Sequence, residues 1–241
     1  QRLWHVRAGQ VILATGSIER PMAFAHNDRP GVMLSQAVRS YVRRFGVVPG
    51  KRVVIATNND DAYKSAQALK EAGALIVAVL DARPAPAGAN SGHRVYNNAT
   101  PLSTKGARHC LKNVSALVDG ATLEWDADLL AVSGGFTPVV HLHMQAGGTL
   151  DWNADAQAFV PAASRQNVTT IGGAAEPQPI FKMASVTKPK KSFIDFQNDV
   201  TLSDVDLAWA EGYRSVEHLK RYTTLGMATD QGKLSNMAAL G

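Results

Sequence analysis

Three apolar segments of this sequence end on glycine, the residue type that lets a backbone approach a bound phosphate or ring closely. The segments are Leu13, Ala14, Thr15 and Gly16; Val132 to Gly135; and Ile171, Gly172 and Gly173, the last followed by Ala174 and Ala175. Open α/β sheets bind ligands at the carboxyl ends of their strands. The three segments together indicate a ligand site at such strand ends. Each segment alone is more typical of a bare turn, and a set of bare turns remains the alternative.

Residues 57–62 are a further candidate, because an apolar run passes there into a helical pattern. A dinucleotide-binding loop would have the glycine pattern G-x-G-x-x-G, but the sequence has Thr-Asn-Asn-Asp-Asp-Ala. Asp60 and Asp61 would repel a pyrophosphate. Asp81 ends the next apolar run, where an acid could bind a ribose hydroxyl. Two interpretations stay open: a bound dinucleotide, or a structural unit whose helix is capped by Asn and Asp.

Other reactive side chains give weaker patterns. His141 and His143 would share one face of a strand and could bind a metal, but no third ligand has suggestive spacing, so hydrogen-bonded core histidines are favoured. Cys110 beside His109 is not a catalytic pair, because adjacent side chains do not face one another. The sequence has no nucleophile elbow and no Walker loop. We therefore expect neither catalytic nor metal-binding residues.

The elements that must position these residues are clearest in residues 51–83. An apolar strand at 53–56, an amphipathic helix at 62–71 and an apolar strand at 75–80 form a βαβ unit typical of a covered parallel sheet. The spacing also predicts a helix over 35–45. Further predicted strands are at 4–7, 11–14, 93–96, 123–125, 128–133, 167–171 and 193–196, with short helices at 204–211 and 216–222. Lys188 to Lys191 form a basic, proline-containing hinge.

The composition excludes several classes of protein. With 241 residues, 45% of them hydrophobic, the chain is long enough for a globular core. It has no apolar run that could span a membrane, and one cysteine fits a reducing, cytoplasmic setting. The net charge of +5 is local, since residues 1–52 carry nine Lys or Arg against Glu19 and Asp28. Without a nucleic-acid-binding motif, this segment predicts an anionic cofactor or a partner subunit.

Three longer motifs resemble one family. Residues 10–34 are similar to the Ala-Thr-Gly stretch of flavoproteins with two dinucleotide domains, in the version found in the alpha (large) subunit of heterotetrameric sarcosine oxidase. Residues 53–83 resemble its second nucleotide-binding-like domain, and 193–236 the stretch leading into its folate, aminomethyltransferase-like domain. Related oxidases bind a 2Fe-2S cluster through cysteines that residues 223–232 lack, so the resemblance implies no iron–sulfur cluster.

The resemblance implies an α/β fold with two Rossmann-like, FAD/NAD(P)-binding domains. Residues 1–49 and 128–176 would be remnants of the first domain, 50–127 an inserted second domain, 177–192 a linker and 193–241 the start of the folate region. NAD would lie nearest Ala14, Thr15, Gly16 and Gly172 to Ala175, held weakly because the first phosphate loop is absent. After Ala175 the family continues into a helix, which Glu176 and Pro177 would not allow.

The resemblance also implies a partner. The chain would contribute a scaffold to an oxidase of sarcosine whose flavin, FAD or FMN, is carried by the beta subunit, and it would not be active alone. Two alternatives stay open: a scaffold or interaction protein that kept the fold and lost the cofactor, and a subunit of a related proline or octopine dehydrogenase.

Overall fold

We describe a computed structural model of the chain over residues 2–90, 92–107, 110–181 and 191–240. The strands are β1 (Val11–Leu13), β2 (Ser17–Glu19), β3 (Val32–Leu34), β4 (Arg52–Thr57), β5 (Leu75–Asp81), β6 (Val95–Tyr96), β7 (Ala99–Ala107), β8 (Cys110–Val118), β9 (Ala121–Asp126), β10 (Leu129–Ser133), β11 (Phe136–Pro138), β12 (Leu150–Asn153), β13 (Ala158–Pro161), β14 (Val168–Thr170), β15 (Phe193–Asp195) and β16 (Val200–Thr201). The α-helices are α1 (Ser35–Phe45), α2 (Asp61–Glu71), α3 (His141–Gln145), α4 (Leu202–Ala210), α5 (Val216–Thr223) and α6 (Ser235–Leu240).

The chain divides into two compact units. Unit 1 comprises residues 1–18 and 136–179, and unit 2 comprises residues 19–135 and 180–241. These limits differ from the predicted domain boundaries at 49/50 and 127/128. The physical reason is strand pairing: β3, which precedes residue 50, and β10, which follows residue 127, both lie in the same sheet as β4.

Unit 2 is built on a parallel five-stranded sheet with the order β3-β10-β4-β5-β6. Alternate residues of the central strands point to opposite faces, and each face is covered. Val53 and Ile55 pack with Val38 of α1 and with α2, whereas Val54 and Ala56 pack with the antiparallel sheet β7-β8-β9. Continuous apolar runs are the expected sequence pattern for such doubly covered strands, and the predicted βαβ unit is confirmed.

The last part of unit 2 has a small core of its own. Ile194 of β15, Val200 of β16 and Leu225 pack together with apolar residues of α4 and α5. Helix α4 begins with a capping box in which Thr201 and Asp204 bond each other's backbone amides. The predicted helices at 204–211 and 216–222 are therefore confirmed as α4 and α5. Residues 188–190 of the predicted basic hinge lie outside the described residues.

Unit 1 contains the parallel pair β1–β14, the antiparallel hairpin β12–β13 and the pair β2–β11, whose strand β2 ends at the first residue of unit 2. Two sequence expectations are wrong here. Residues 4–7 form no strand, and Trp4 and Val6 are exposed, because no neighbouring strand pairs with them. His141 and His143 lie on α3 and not on a strand. No helix among the described residues is long and apolar enough to cross a membrane.

Candidate functional site

The first and third glycine-ended segments meet in unit 1. β1 and β14 run parallel, with Leu13 opposite Thr170, and the Ile171 amide donates to the Leu13 carbonyl oxygen at 2.9 Å. The two strands therefore end side by side. The chain then leaves β14 through a single 3-10 turn at Gly172–Ala174. This turn stops at Ala174, and the described residues that follow it, 175–181, form no helix, as expected from Glu176 and Pro177.

The backbone around these strand ends is open and left-handed at two glycines. Gly16 has φ +70° and Gly172 has φ +67°, and a Cβ atom at either would meet nothing within 4 Å. A Cβ at Gly173 would lie 3.1 Å from the Ser17 Oγ atom, so the two predicted segments are close neighbours. Such an arrangement leaves room for a phosphate group to lie against the backbone.

The remaining predicted site residues in unit 1 have different surroundings. The Thr15 hydroxyl donates to the Val139 carbonyl oxygen at 2.6 Å, so it fixes the loop after β1. Ala14 is exposed, Ala175 is half-buried and Ala174 is fully buried. Of the predicted site residues in unit 1, Ala14, Gly172 and Gly173 are the exposed ones.

His143 lies beneath this region as a hydrogen-bonded core residue. It is buried, its Nε2 atom lies 3.1 Å from the Thr149 carbonyl oxygen, and its Nδ1 atom lies 3.3 Å from Thr170 Oγ1. The favoured interpretation of a core histidine is confirmed for this residue. No group of three or more potential metal ligands occurs in the described parts of the chain. Cys110 is a half-buried free thiol, and its neighbour His109 lies outside the described residues.

The equivalent place in unit 2, at the end of β4, is filled by the chain's own side chains. Asn59 Nδ2 donates to the Ser133 carbonyl oxygen at 3.1 Å and to its hydroxyl at 3.0 Å, while Asn59 Oδ1 accepts the Asp61 amide. Asn58 Nδ2 donates to the carbonyl oxygens of Gly134 and Phe181. These bonds hold together the loop that would be a glycine-rich phosphate cradle in a dinucleotide fold.

Asp81 does not present a free carboxylate for a ribose. It is fully buried and accepts hydrogen bonds from Tyr63 Oη at 2.9 Å, Arg83 Nε at 2.9 Å and Arg83 Nη2 at 2.8 Å. Arg83 Nη2 also bonds Asp60 at 2.6 Å, at the start of α2. Burial raises the pKa of Tyr63 well above its usual value, and Asp81 raises it further. Of the two interpretations of this unit, the geometry favours the structural one.

Glu19 is a buried acid that sequence reasoning did not single out. Its Oε2 atom accepts the Gln36 amide of α1 at 2.7 Å, while Oε1 is buried without a well-aligned hydrogen-bond partner. Burial raises the pKa of Glu19 to about 7, although hydrogen bonding to Ser133 and Gln36 and the charge of Arg39 oppose the rise. The residues that flank Glu19 in the sequence give no signal of this buried environment, because its contacts come from segments distant along the chain.

The second glycine-ended segment packs against the residues that follow Glu19. The Arg20 amide donates to the Gly135 carbonyl oxygen at 2.8 Å, and the Gly134 amide donates to the Arg20 carbonyl oxygen at 2.9 Å. A Cβ at Gly134 would lie 2.6 Å from the Pro21 carbonyl oxygen. Gly134 is therefore required for the close approach of two backbone segments.

The positive charges of residues 1–52 have intramolecular partners at several places. Arg39 pairs with Asp61 at 2.8 Å and Arg43 pairs with Glu71 at 2.6 Å, both between α1 and α2. Arg29 donates to the backbone carbonyl oxygens of β7, and Arg52 Nε donates to the Asp126 carbonyl oxygen. Much of the local basicity thus holds the fold together.

Taken together, the covered parallel sheet, its βαβ unit and the paired strand ends define an α/β fold of the FAD/NAD(P)-binding kind, as predicted. Among solved structures, L-proline dehydrogenase from P. horikoshii matches with a TM-score of 0.71 and 20% identity, over 96% of this chain and 52% of that chain. At this identity the likeness supports the fold alone.

The sequence comparisons identify the particular relatives. The chain is 38% identical to the sarcosine oxidase subunit alpha of Rhizobium meliloti (strain 1021), over 100% of this chain and 28% of the relative. It is 37% identical to that of Corynebacterium sp. (strain P-1), over 100% of this chain and 31% of the relative. Residues 189–241 match the family model of the sarcosine oxidase A3 domain. The predicted resemblance to the sarcosine oxidase alpha subunit is therefore confirmed, and the chain spans less than a third of these relatives' length.

Proposed function

We propose that this chain is part of an alpha-type subunit of a flavin-dependent oxidase of sarcosine, and that it contributes a weak NAD site on an α/β scaffold. In this proposal the oxidative centre, FAD or FMN, is carried by a beta-type partner subunit. A discontinuous first domain with a second domain inserted in it, as implied by the resemblance, belongs to the same proposal.

The single observation that supports the NAD site is the meeting of two strand ends in unit 1. Gly16 and Gly172 have open space where a side chain would stand, and Gly173 lies beside Ser17. The backbone of Ala14 to Gly16 and of Gly172 to Ala175 would therefore hold the pyrophosphate. When bound, a dinucleotide supplies a redox-active ring, and the protein supplies its position and surroundings.

The end of β4 supports the choice of unit 1 by contrast. A pyrophosphate there would meet the carboxylates of Asp60 and Asp61. The nearby guanidinium groups are already bonded, that of Arg83 to Asp60 and Asp81 and that of Arg39 to Asp61. An anion would have to break these ion pairs before it could bind. The same observation favours a second candidate function, a scaffold that has kept the fold and lost its cofactor.

Saturation-transfer difference NMR of NAD in the presence of the chain tests the site, because the method detects weak binding. The test variant is Gly173→Asp, which places a carboxylate beside the proposed pyrophosphate. Gly9→Asp is the matched control, since it adds the same charge to unit 1 at a glycine with nothing within 4 Å of its Cβ position. We expect NAD signals with the natural chain and with the control, and a strong loss with Gly173→Asp.

The result decides between the two candidate functions. Signals of equal strength with Gly173→Asp would refute this site, and no signal with any of the three proteins would favour the scaffold. The partner is tested separately, by co-expression of the chain with a flavin-bearing subunit and by assay of the purified complex with sarcosine, proline and octopine. Failure to co-purify a flavoprotein would refute the subunit proposal, and turnover of proline or octopine in preference to sarcosine would favour the related dehydrogenases.

A further inference from the structure

Glu19 caps a helix to which it does not belong. Helix α1 has Leu34 at its N-cap, with no side-chain cap and no acidic residue in its first turn. The Glu19 carboxyl, arriving from the end of β2, accepts the Gln36 amide at 2.7 Å. The side chain is deeply buried, with 2% of the residue exposed. A carboxyl group in this position satisfies one of the free amides of the helix start, but it is also withdrawn from water.

The charged and polar groups around Glu19 act in opposite directions. Asp61 of α2 repels its negative charge, Arg39 of α1 attracts it, and β10 contributes the neutral hydroxyl of Ser133. Arg39 is itself bonded to Asp61 at 2.8 Å, so its charge is shared. Burial outweighs the favourable contacts, and the carboxyl group takes up a proton near neutral pH.

The residues after Glu19 are tightly packed against the end of β10. Two backbone hydrogen bonds join Arg20 to Gly134 and Gly135, and Gly134 has no room for a Cβ beside Pro21. Glu19 is also the first residue of unit 2, directly after the point where the chain leaves unit 1. The short segment of residues 19–21 therefore lies in close backbone contact with residues 134–135, next to the buried carboxyl group.

We propose that Glu19 is a proton-linked latch, in which the neutral carboxyl group stays buried against the Gln36 amide at the start of α1 and so keeps residues 19–21 beside Gly134 and Gly135. Loss of its proton to solvent loosens this segment. In the open form the carboxylate regains water, and its proton affinity returns to that of an ordinary glutamate. Opening is therefore coupled to proton release, and it becomes more frequent as the pH rises through neutrality.

The coupling has a defined size. A pKa of about 7 in the closed form against 4.5 in the open form makes the opening equilibrium rise with pH until Glu19 is fully charged in both forms. Between about pH 6 and 8 the open fraction should increase about tenfold. Because this coupling depends only on Glu19, it does not require that the proposed NAD site be correct.

Hydrogen–deuterium exchange followed by mass spectrometry tests the latch on the whole chain at pH 6 and 8. After division by the intrinsic exchange rates, peptides covering residues 19–21 and 133–135 should open about tenfold more often at the higher pH in the natural chain. Glu19→Gln, which has the same shape and no titration, should change less than twofold. Glu217→Gln, at an exposed position of α5, should keep the tenfold change.

Two outcomes would overturn the proposal. The first is a natural chain whose corrected opening does not change between the two pH values, a result that needs no variant. The second is a Glu19→Gln variant that keeps the pH dependence, which would assign it to another group.

Discussion

Replacement of Arg83 by methionine should destabilise unit 2, because it leaves a buried carboxylate without its cation. Asp81 is fully buried, and two of its side-chain hydrogen bonds come from the Arg83 guanidinium, at 2.8 and 2.9 Å. Breaking a buried ion pair by removing one partner costs about 3–5 kcal/mol. The bond to Asp60 adds little, since that carboxylate is half exposed.

The size of the effect follows from the remaining exposure of the pair. The Arg83 side chain keeps 20% of its surface in contact with solvent, so water can partly replace the lost guanidinium. We therefore expect the free energy of unfolding to fall by about 3 kcal/mol, at the lower end of the range for buried pairs. Urea denaturation followed by circular dichroism measures this difference.

Two further variants make the interpretation specific. Arg44→Met, at an exposed position of α1, removes the same kind of charge and should change the free energy of unfolding by less than about 0.5 kcal/mol. The double variant Asp81→Asn with Arg83→Met should be more stable than Arg83→Met alone, because no buried charge remains. A loss below about 1 kcal/mol for Arg83→Met would refute the structural interpretation of Asp81 and its ion pair.

The other predictions concern packing, anchoring and pH. Gly134→Ala should destabilise the chain by about 1–3 kcal/mol, because its Cβ would lie 2.6 Å from a backbone oxygen, whereas Gly9→Ala should be nearly neutral; thermal unfolding compares them. Asn27→Ala should increase the rate of proteolysis after residue 193, because Asn27 bonds both the amide and the carbonyl oxygen of Phe193; an unchanged rate would contradict this. Because the pKa of Glu19 is raised from 4.5 to about 7 in the folded chain, its contribution to stability is full below the lower value and is lost as the pH rises through the higher one. Glu19→Gln should remove this dependence and, above neutral pH, be more stable than the natural chain by about 3 kcal/mol; equal pH profiles in urea denaturation would contradict it.

The strongest periodicities in the sequence predict the central fold well. The apolar runs of β4 and β5 and the helical spacing of α1 and α2 lie within a residue or two of the observed elements. In each of these elements the local pattern of apolar residues agrees with the face that is buried in the fold. The long hairpin β7–β8 is different, because Thr, Ser, Lys and Asn interrupt its apolar positions, and no strand is predicted there from the sequence.

The candidate sites depend on contacts that a single sequence does not contain. Glu19 receives its properties from Gln36, Asp61 and Ser133, which belong to three different elements. The strand ends of unit 1 meet because β1 pairs with β14, more than 150 residues further along the chain. Periodicity predicts the strands, but it does not predict which strands pair. The domain limits also differ for this reason, since β3 and β10 join the sheet of β4 from outside the predicted insert.

A crystal structure of the chain grown with NAD tests the central claim most directly. The account predicts that the pyrophosphate lies against the backbone of Gly16, Gly172 and Gly173 in unit 1, with the ion pairs of Arg83 intact. A pyrophosphate at the end of β4, over Asn58 to Asp61, would contradict it.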